Sequence, residues 1–210
     1  MADPAPRLQA TAPDLPEGEA RTGAAGRILN AALTLFASRG FHGTSIRDIA
    51  AEAGLTSPAI YGHFDSKEQL LAELVRIGHE AHHGCLRRAL LASPADPVSQ
   101  LRAVVDAHVR FHAEFPVLAT VANNELHALP TPLVAPSLAL RTQSEHLLRE
   151  IIERGEQLGT FDPPHTWMTM AAIGGMGIRV ASWYHADSEL TVDEVARTYG
   201  ELAVRMAGAQ

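Results

Sequence analysis

Apolar residues recur along most of the chain at the three- and four-residue spacing of helices that bury one face, and no stretch alternates apolar and polar residues as a β-strand does. The most closely spaced helix signals lie between Gly43 and Leu71, in the segment GTSIRDIAAEAGLTSPAIYGHFDSKEQLL. Three helix starts follow one another there, which only short helices in a compact arrangement can accommodate. The pattern predicts an all-α chain.

The first short helix of this segment is predicted over Ile46 to Glu52. Ser45 is followed three residues later by Asp48, which is the capping-box pattern of a helix N-terminus. Apolar residues at helical spacing place one face of this helix in a core. Gly54 then supplies a residue that tolerates the left-handed conformation after a helix. We therefore expect a short helix followed by a tight turn.

A second short helix is predicted over Pro58 to His63, because Ser57 is a typical N-cap and proline at the first helical position costs no hydrogen bond. Ser66 and Gln69 form another capping-box pattern, which begins a long helix over about 66–91. Two short helices joined by a glycine-containing turn form a helix-turn-helix, whose second helix enters the DNA major groove.

Prolines and glycines delimit the remaining helices. A helix over about 24–39 precedes the helix-turn-helix and ends at Gly40. Later helices are predicted at about 98–114, 117–128, 133–158, 166–185 and 192–206. The prediction is an all-α chain of about nine helices, with an N-terminal three-helix helix-turn-helix domain and a C-terminal helical domain.

The pattern T-S-I-R-D-I-A-x-x-A-G-L-T-S-P-A-I-Y-x-H-F-x-S-K-E-x-L-L resembles the N-terminal domain of TetR-type transcriptional regulators along its whole length. The resemblance implies a DNA-binding domain over 22–68 and a ligand-binding and dimerisation domain over 69–210. It also implies a repressor that a ligand releases from DNA. Residues 1–21 contain proline, glycine and charge without apolar periodicity, and they are predicted to form a disordered arm.

Positions that match the family pattern define a predicted DNA-binding surface. Thr44 lies where the family has a phosphate-contacting hydroxyl, and Tyr61 and His63 match positions that contact the DNA backbone. Arg47 could reach a guanine edge, and Lys67, a basic residue in the first turn of a helix, is expected to clamp a phosphate. The predicted set is Thr44, Ser45, Arg47, Thr56, Ser57, Pro58, Ala59, Tyr61, His63 and Lys67.

Several of these residues also have a purely structural interpretation. Arg47 could be a solvated helix charge, Ser57 only an N-cap, and Tyr61 and His63 packing residues. Ala59 is small, as is its neighbour Gly62, so part of the specificity is expected to come from backbone approach, thymine methyl contacts and DNA shape.

The last two predicted helices carry features of a dimer interface. Small residues in the first of them would let another helix approach closely, and apolar residues in the second form a seam. These residues are Ala171, Ala172, Gly174, Gly175 and Gly177, and then Val195, Tyr199, Leu202 and Met206. We expect a two-fold homodimer through a four-helix bundle, with recognition helices about 34–36 Å apart on a pseudo-palindromic operator.

The predicted ligand pocket combines apolar residues with a few polar ones, as sites for small organic molecules do. Its candidate wall is Leu118, Val121, Asn124, Glu125, Leu129, Leu147, Ile151, Trp167, Met170, Ile173 and Trp183, although residues of these types more often simply pack a core. The stretches N-E-L-H-A-L-P, E-x-G-T-F-D-P and L-T-x-D-E-V-A-x-x-Y are similar to C-terminal domains of TetR-type regulators of fatty acid, acyl-CoA and steroid catabolism. This similarity implies a lipid-like acid or its CoA thioester as the effector.

Composition agrees with a cytoplasmic protein and limits its DNA affinity. The 210 residues include a single cysteine, which excludes an intrachain disulfide, and no apolar run approaches the roughly 18 residues of a membrane span. The net charge is −7, and residues 22–68 hold four basic and four acidic side chains. Such a neutral segment should bind DNA with weak non-specific affinity, because few counterions are released.

Metal sensing is an alternative function, because the chain contains eleven histidines. His79 and His83, and likewise His108 and His112, are spaced i, i+4, so each pair lies on one helical face. If the two faces met, four imidazoles could bind zinc, nickel or copper.

Motifs of enzymes and cofactors are not found in the sequence. It contains no G-x-S-x-G, no H-E-x-x-H and no phosphate-binding loop, and no strand precedes the GGMG run, as a dinucleotide fingerprint requires. The sequence therefore predicts neither an enzyme nor a bound cofactor.

Overall fold

The computed structural model describes residues 15–16, 23–185 and 187–209. Regular structure within these ranges consists of nine α-helices and one short 3-10 helix, without a strand, which confirms the all-α prediction. The predicted arm lies outside the described residues apart from Leu15, which is buried, and Pro16. None of the described helices combines the length and apolarity needed to cross a membrane.

The helices follow the predicted order, with small shifts at their ends. Their bounds are α1 (Gly23–Arg39), α2 (Ile46–Glu52), α3 (Ser57–Tyr61), α4 (Lys67–Ala92), α5 (Pro97–Glu114), α6 (Pro116–Asn124), α7 (Thr131–Gln157), α8 (Thr166–Trp183) and α9 (Val192–Met206). A 3-10 helix at Leu126–Ala128 replaces the predicted last turn of α6.

The start of α2 follows from its capping box. The Ser45 hydroxyl accepts a hydrogen bond from the Asp48 amide, and the Asp48 carboxylate accepts one from the Ser45 amide at 2.9 Å. The Ser45 hydroxyl also donates to the Asp48 carboxylate at 2.6 Å, and this bond, together with the one from the Ser45 amide, lowers the pKa of Asp48. Gly54 closes the following turn with a φ of +66°, in the left-handed region that glycine tolerates. Both sequence predictions for this turn are confirmed.

The start of α3 differs from the prediction by one residue. Thr56, rather than Ser57, is the N-cap, and its hydroxyl accepts a hydrogen bond from the Ala59 amide. Pro58 therefore occupies the second helical position, where its missing N–H is again one that the helix does not use. The helix ends at Tyr61, two residues earlier than predicted.

The helix α7 begins two residues earlier than predicted, because its first proline lies inside the helix and not before it. Pro132 was expected to precede the helix, but it lies in the first turn, which begins at Thr131. The first four amides of a helix have no partner inside it, so proline is tolerated there. Pro136 lies one turn further inside the helix.

The chain divides into two compact units. The first takes the described residues up to Gly78 together with 117–134, and the second takes 79–116 together with the described residues from 135 onward. In the first unit, a β-carbon at Gly78 would lie 3.0 Å from that of Ala122, so the glycine allows α4 and α6 to pack closely. In the second unit, α5 packs against both α8 and α9. Residues 69–78 and 117–134 thus group with the N-terminal helices, and the domain bounds 22–68 and 69–210 stay a prediction.

Candidate functional site

The exposed surface of α3 gathers several of the predicted DNA-contacting residues. Thr56, Pro58 and His63 are exposed, and Tyr61 is 54% exposed although it is a large aromatic residue. Ile60 is fully buried on the opposite face and anchors this short helix to its unit. The helix therefore presents a polar and aromatic face outward, as a recognition helix requires.

Residues of α2 extend this surface. Ser45 and Arg47 are exposed, whereas Ile49 on the inner face is fully buried. Ser57 and Ala59 are half-buried, so they offer less side-chain surface than the residues around them. Arg47 is the long cationic side chain of this set that faces solvent.

Thr44 is turned away from solvent. Its side chain is 2% exposed, and its hydroxyl donates a hydrogen bond to the Gly40 carbonyl oxygen at 2.9 Å. This bond closes the turn between α1 and α2, where Gly40 has a φ of +73°. The geometry favours a role in fixing this turn over the predicted contact with a phosphate.

The ammonium group of Lys67 also makes its contacts within the protein. Its Nζ donates hydrogen bonds to the carbonyl oxygens of Phe41 at 2.8 Å and Thr44 at 2.7 Å, and lies 4.1 Å from the centre of the Phe41 ring. These contacts compensate for a cation at a helix N-terminus, which is the unfavourable end for positive charge. The local conflict that suggested a phosphate partner is resolved within this unit.

The predicted ligand-binding residues belong to both compact units. Leu118 and Val121 are buried in the first unit, which also contains Leu129, Asn124 and Glu125, the last two at least partly exposed. The second unit contains the others. Four of these, Leu147, Ile151, Met170 and Ile173, are members of its hydrophobic core.

The two tryptophans are exposed residues of α8, and their assignment to the ligand pocket stays a prediction. Trp167 is 63% exposed at the start of α8, and Trp183, 40% exposed at its end, stacks against Tyr199 of α9. Met168 is 60% exposed beside Trp167. Helical spacing placed these residues on the outer stripe of α8 rather than on its core-facing side.

An open groove of about 360 Å³ lies in the second unit. Of the predicted ligand-binding residues it contains Leu147 alone. The lining residues are His83, Arg87, Leu90, Gln143, His146, Leu147 and Glu150. Apolar, cationic and hydrogen-bonding side chains therefore meet in one depression.

Three histidines of the second unit form a cluster. His82 of α4 lies beside His108 and His112 of α5, and the nearest ring nitrogens of the three all lie within 4.8 Å of one another. Burial, together with the neighbouring imidazoles, lowers the pKa of His82 well below its ordinary value and that of His112 from 6.5 to about 3. Burial also lowers the pKa of His108. All three rings are therefore neutral near pH 7.

This cluster corrects the predicted set of four histidines. His108 and His112 take part, but His83 points its Nδ1 to the Ser144 hydroxyl at 3.1 Å and lines the groove. His79 is buried one turn before His82. His82 was not among the predicted ligands, although it continues the buried α4 stripe of Val75, His79 and Leu86 at spacings of three and four.

An exposed short helix that follows a capped helix and a glycine turn is the arrangement of the helix-turn-helix, a motif of DNA-binding regulators. The chain belongs to the TetR family: the model of bacterial regulatory proteins of the tetR family matches residues 28–74, and that of the tetracyclin repressor-like C-terminal domain matches residues 94–207. Members of this family are transcriptional regulators and not enzymes.

Individual relatives agree with this assignment. The HTH-type transcriptional repressor KstR2 of Rhodococcus jostii is 29% identical over 194 residues, which cover 90% of this chain and 93% of the relative. The crystal structure of a tetR-family regulatory protein from Rhodococcus RHA1 is 31% identical, has a TM-score of 0.83, and matches 90% of this chain and 99% of that one. AibR in complex with isovaleryl coenzyme A and operator DNA shares the fold, with 23% identity, a TM-score of 0.76, and coverage of 87% and 97%.

Proposed function

We propose that this protein is a cytoplasmic transcriptional repressor that binds a pseudo-palindromic operator as a homodimer and is released by an apolar, acyl-CoA-like ligand. The observation that carries the DNA-binding part is the exposed face of α3 and α2, where Tyr61, His63 and Arg47 face solvent while Ile60 and Ile49 anchor the helices. We retain 22–68 as the proposed DNA-binding segment.

The outer stripe of α8 supports the homodimer. Trp167, Met168 and Trp183 are exposed apolar residues, and the small residues Ala171 and Gly175 are exposed between them. Exposed apolar residues gathered on one helical face typically mark an interface, and here Arg179 and Ser182 are the exposed polar residues between Gly175 and Trp183. An isologous pairing of this stripe would bury the tryptophans of both copies. We therefore propose α8 and α9 as the dimer interface.

The groove of the second unit supports an anionic ligand with an apolar part. Leu90 and Leu147 offer apolar surface, and Arg87 offers a cation for a carboxylate or phosphate. Its volume of about 360 Å³ falls within the roughly 300–1,000 Å³ of small-molecule sites. The complex of AibR with isovaleryl coenzyme A makes CoA thioesters the first compounds to test.

Release from DNA is proposed to be a population shift between two conformations of the dimer. The operator selects one separation of the recognition helices, and the ligand selects another. Linkage requires that ligand and operator weaken each other's binding by the same factor. A coupling of about 3 kcal/mol would weaken operator binding over a hundredfold. The helix α4 contributes residues to both compact units and is the proposed route of this coupling.

Band-shift and calorimetric titrations test the two parts separately. The wild-type chain should shift the DNA that adjoins its own gene, and short- and long-chain acyl-CoA thioesters should release it, whereas free CoA should not. Arg87→Ala should weaken thioester binding, with Arg149→Ala, an exposed arginine of α7 outside the groove, as the matched control. If no thioester binds, the ligand assignment is wrong. If no DNA from that region is shifted, the repressor assignment fails.

A further inference from the structure

The three clustered imidazole rings lie in direct contact with one another. Nε2 of His82 lies 2.8 Å from Nδ1 of His108, and the rings of His108 and His112 have centroids 4.6 Å apart. His108 and His112 are each less than a tenth exposed, and the Phe111 ring lies 5.2 Å from that of His82. Ring nitrogens therefore converge on one point beside an aromatic wall.

Backbone carbonyls fix the protonation of two of the rings. His108 Nε2 lies 3.1 Å from the Gly174 carbonyl oxygen and His112 Nδ1 lies 2.8 Å from the His108 carbonyl oxygen. A carbonyl only accepts, so both of these nitrogens carry protons. The lone pairs of His108 Nδ1 and His112 Nε2 are therefore the ones directed at the cluster. A histidine that ligates a metal through one nitrogen typically donates its other N–H to a carbonyl in this way.

Spacing within the cluster suits a tetrahedral ion. Zinc binds imidazole nitrogen at about 2.0–2.1 Å, which places two tetrahedral ligand atoms about 3.4 Å apart. The observed separations, from 2.8 Å to at most 4.8 Å, lie on both sides of this value. Small rotations of the rings would bring the three nitrogens to it.

We propose that His82, His108 and His112 bind a divalent first-row transition-metal ion, zinc foremost, and leave its fourth position open to water or another ligand. The proton on His82 Nε2, which now donates to His108, moves to Nδ1, and the freed lone pair takes the ion. Neutral imidazoles are the form that a metal needs, and burial already keeps these three neutral.

A glycine of α8 makes room for the second ligand. A β-carbon at Gly177 would lie 2.0 Å from Cδ2 and 2.3 Å from Nε2 of His108. The ring can reach the Gly174 carbonyl because position 177 has no side chain. The helices α4 and α5 thus supply the ligands of the site, and α8 supports them. This proposal stands independently of the function proposed above.

Metal binding is measured on the tag-free full-length protein after chelator treatment and dialysis. Competition titration with a chromophoric chelator should give one zinc ion per chain for the wild type. His82→Gln removes one ligand from the half-exposed edge of the cluster and should weaken zinc binding by more than the roughly 10–100-fold typical of a supporting residue. His83→Gln changes the neighbouring residue of the same helix and should bind as the wild type does. Equal affinity in wild type and His82→Gln overturns the proposal.

Cobalt provides a readout on the unaltered protein. Stoichiometric Co²⁺ uptake by the wild type should produce the intense visible absorption of a tetrahedral centre, and zinc should displace it. A weak octahedral spectrum, or no uptake at equimolar Co²⁺, overturns the proposal even if a variant does not fold. Copper and nickel titrations then rank the ions against the order expected for nitrogen ligands.

Discussion

The Nζ atom of Lys67 lies 2.8 Å from the carbonyl oxygen of Phe41 and 4.1 Å from the centre of the Phe41 ring. One ammonium group thus makes both a charge-assisted hydrogen bond and a cation–π contact with one residue. Through them the first turn of α4 holds the turn that leads into α2. Lys67 therefore helps to orient the proposed DNA-binding surface through contacts within the protein.

Replacing Lys67 with methionine should lower the stability of the protein. The change removes charge-assisted hydrogen bonds to two carbonyls, and we expect a loss of about 2 kcal/mol in the free energy of unfolding. Urea denaturation followed by circular dichroism measures it. Glu68→Gln, in the same helical turn, is the control and should change little. Unaltered stability combined with weakened operator binding would instead assign Lys67 to a phosphate.

Replacing Arg47 with alanine should weaken operator binding and leave the stability of the protein unchanged. The side chain is exposed, so its removal should leave the unfolding midpoint within error. Loss of a bidentate contact to a guanine edge should weaken operator binding by about 1–3 kcal/mol, and chiefly for sequences with guanine at that position. Fluorescence anisotropy with operator and base-substituted duplexes measures both effects. A uniform loss across all sequences would identify a phosphate contact instead.

Introducing a charge into the outer stripe of α8 should dissociate the proposed dimer. Met168→Glu places a carboxylate on an apolar surface that would be buried between two copies, which is costly without a partner. Sedimentation velocity should then show a monomer with weakened operator binding. Leu91→Glu alters a leucine of α4 that is more exposed than Met168 and should sediment as the wild type does. A dimeric Met168→Glu protein would place the interface elsewhere.

Two glycines of α8 should respond in opposite directions to alanine. At Gly177 the added carbon collides with the His108 ring, and overpacking of this kind typically costs about 1–3 kcal/mol. At Gly174 nothing lies within 4 Å of the added carbon, so the substitution should be neutral or stabilise the helix by up to about 1 kcal/mol. Thermal unfolding of both variants tests the comparison, and equal melting temperatures would contradict it.

Acid should destabilise the metal-free protein through its histidine cluster. The pKa of His112 is about 3 in the folded protein and about 6.5 when unfolded, so the unfolded chain binds the proton between these values. Its contribution to stability is complete above pH 6.5 and is lost as the pH falls toward 3. At about 1.4 kcal/mol per pKa unit the loss reaches several kcal/mol. The pKa values of His82 and His108 are also lowered in the folded protein, so both residues add to the same acid sensitivity, and His79 lies nearby.

Chemical denaturation at several pH values with chelator present measures this dependence. His112→Gln should reduce the slope of this dependence between pH 6.5 and 3, and the part contributed by His82 and His108 should remain. His165→Gln, at an exposed position, should keep the wild-type slope. An unchanged slope in His112→Gln would show that other groups carry the acid sensitivity.

Local features of the fold were predictable from sequence because local hydrogen bonds determine them. The Ser45–Asp48 capping box and the left-handed Gly54 are set by residues a few positions apart, and both were identified. Thr56 and Ser57 are both good N-caps, and the pattern alone could not choose between adjacent ones. Pro58 fits the first turn after either cap, so it does not decide between them.

Side-chain partners across the fold were less predictable. The charge of Lys67 indicated a negatively polarised partner, but a carbonyl of the protein satisfies it as well as a phosphate does. The i, i+4 rule placed His79 and His83 on one face, whereas His82, three residues from His79, is the one that meets α5. The stripe positions of Trp167 and Trp183 depend on which side of α8 meets α5, which composition does not encode.

The absence of a side chain at position 177 means that possession of the histidine ligands is not sufficient for binding the ion. A descendant of this protein could retain all eleven imidazoles and still lose its ion through one alanine in a helix that contributes no ligand. Comparisons that count only histidines would class such a homologue as metal-competent. Glycine at position 177 is therefore the residue to look for in related chains that keep the three histidines, because it allows the ion to bind.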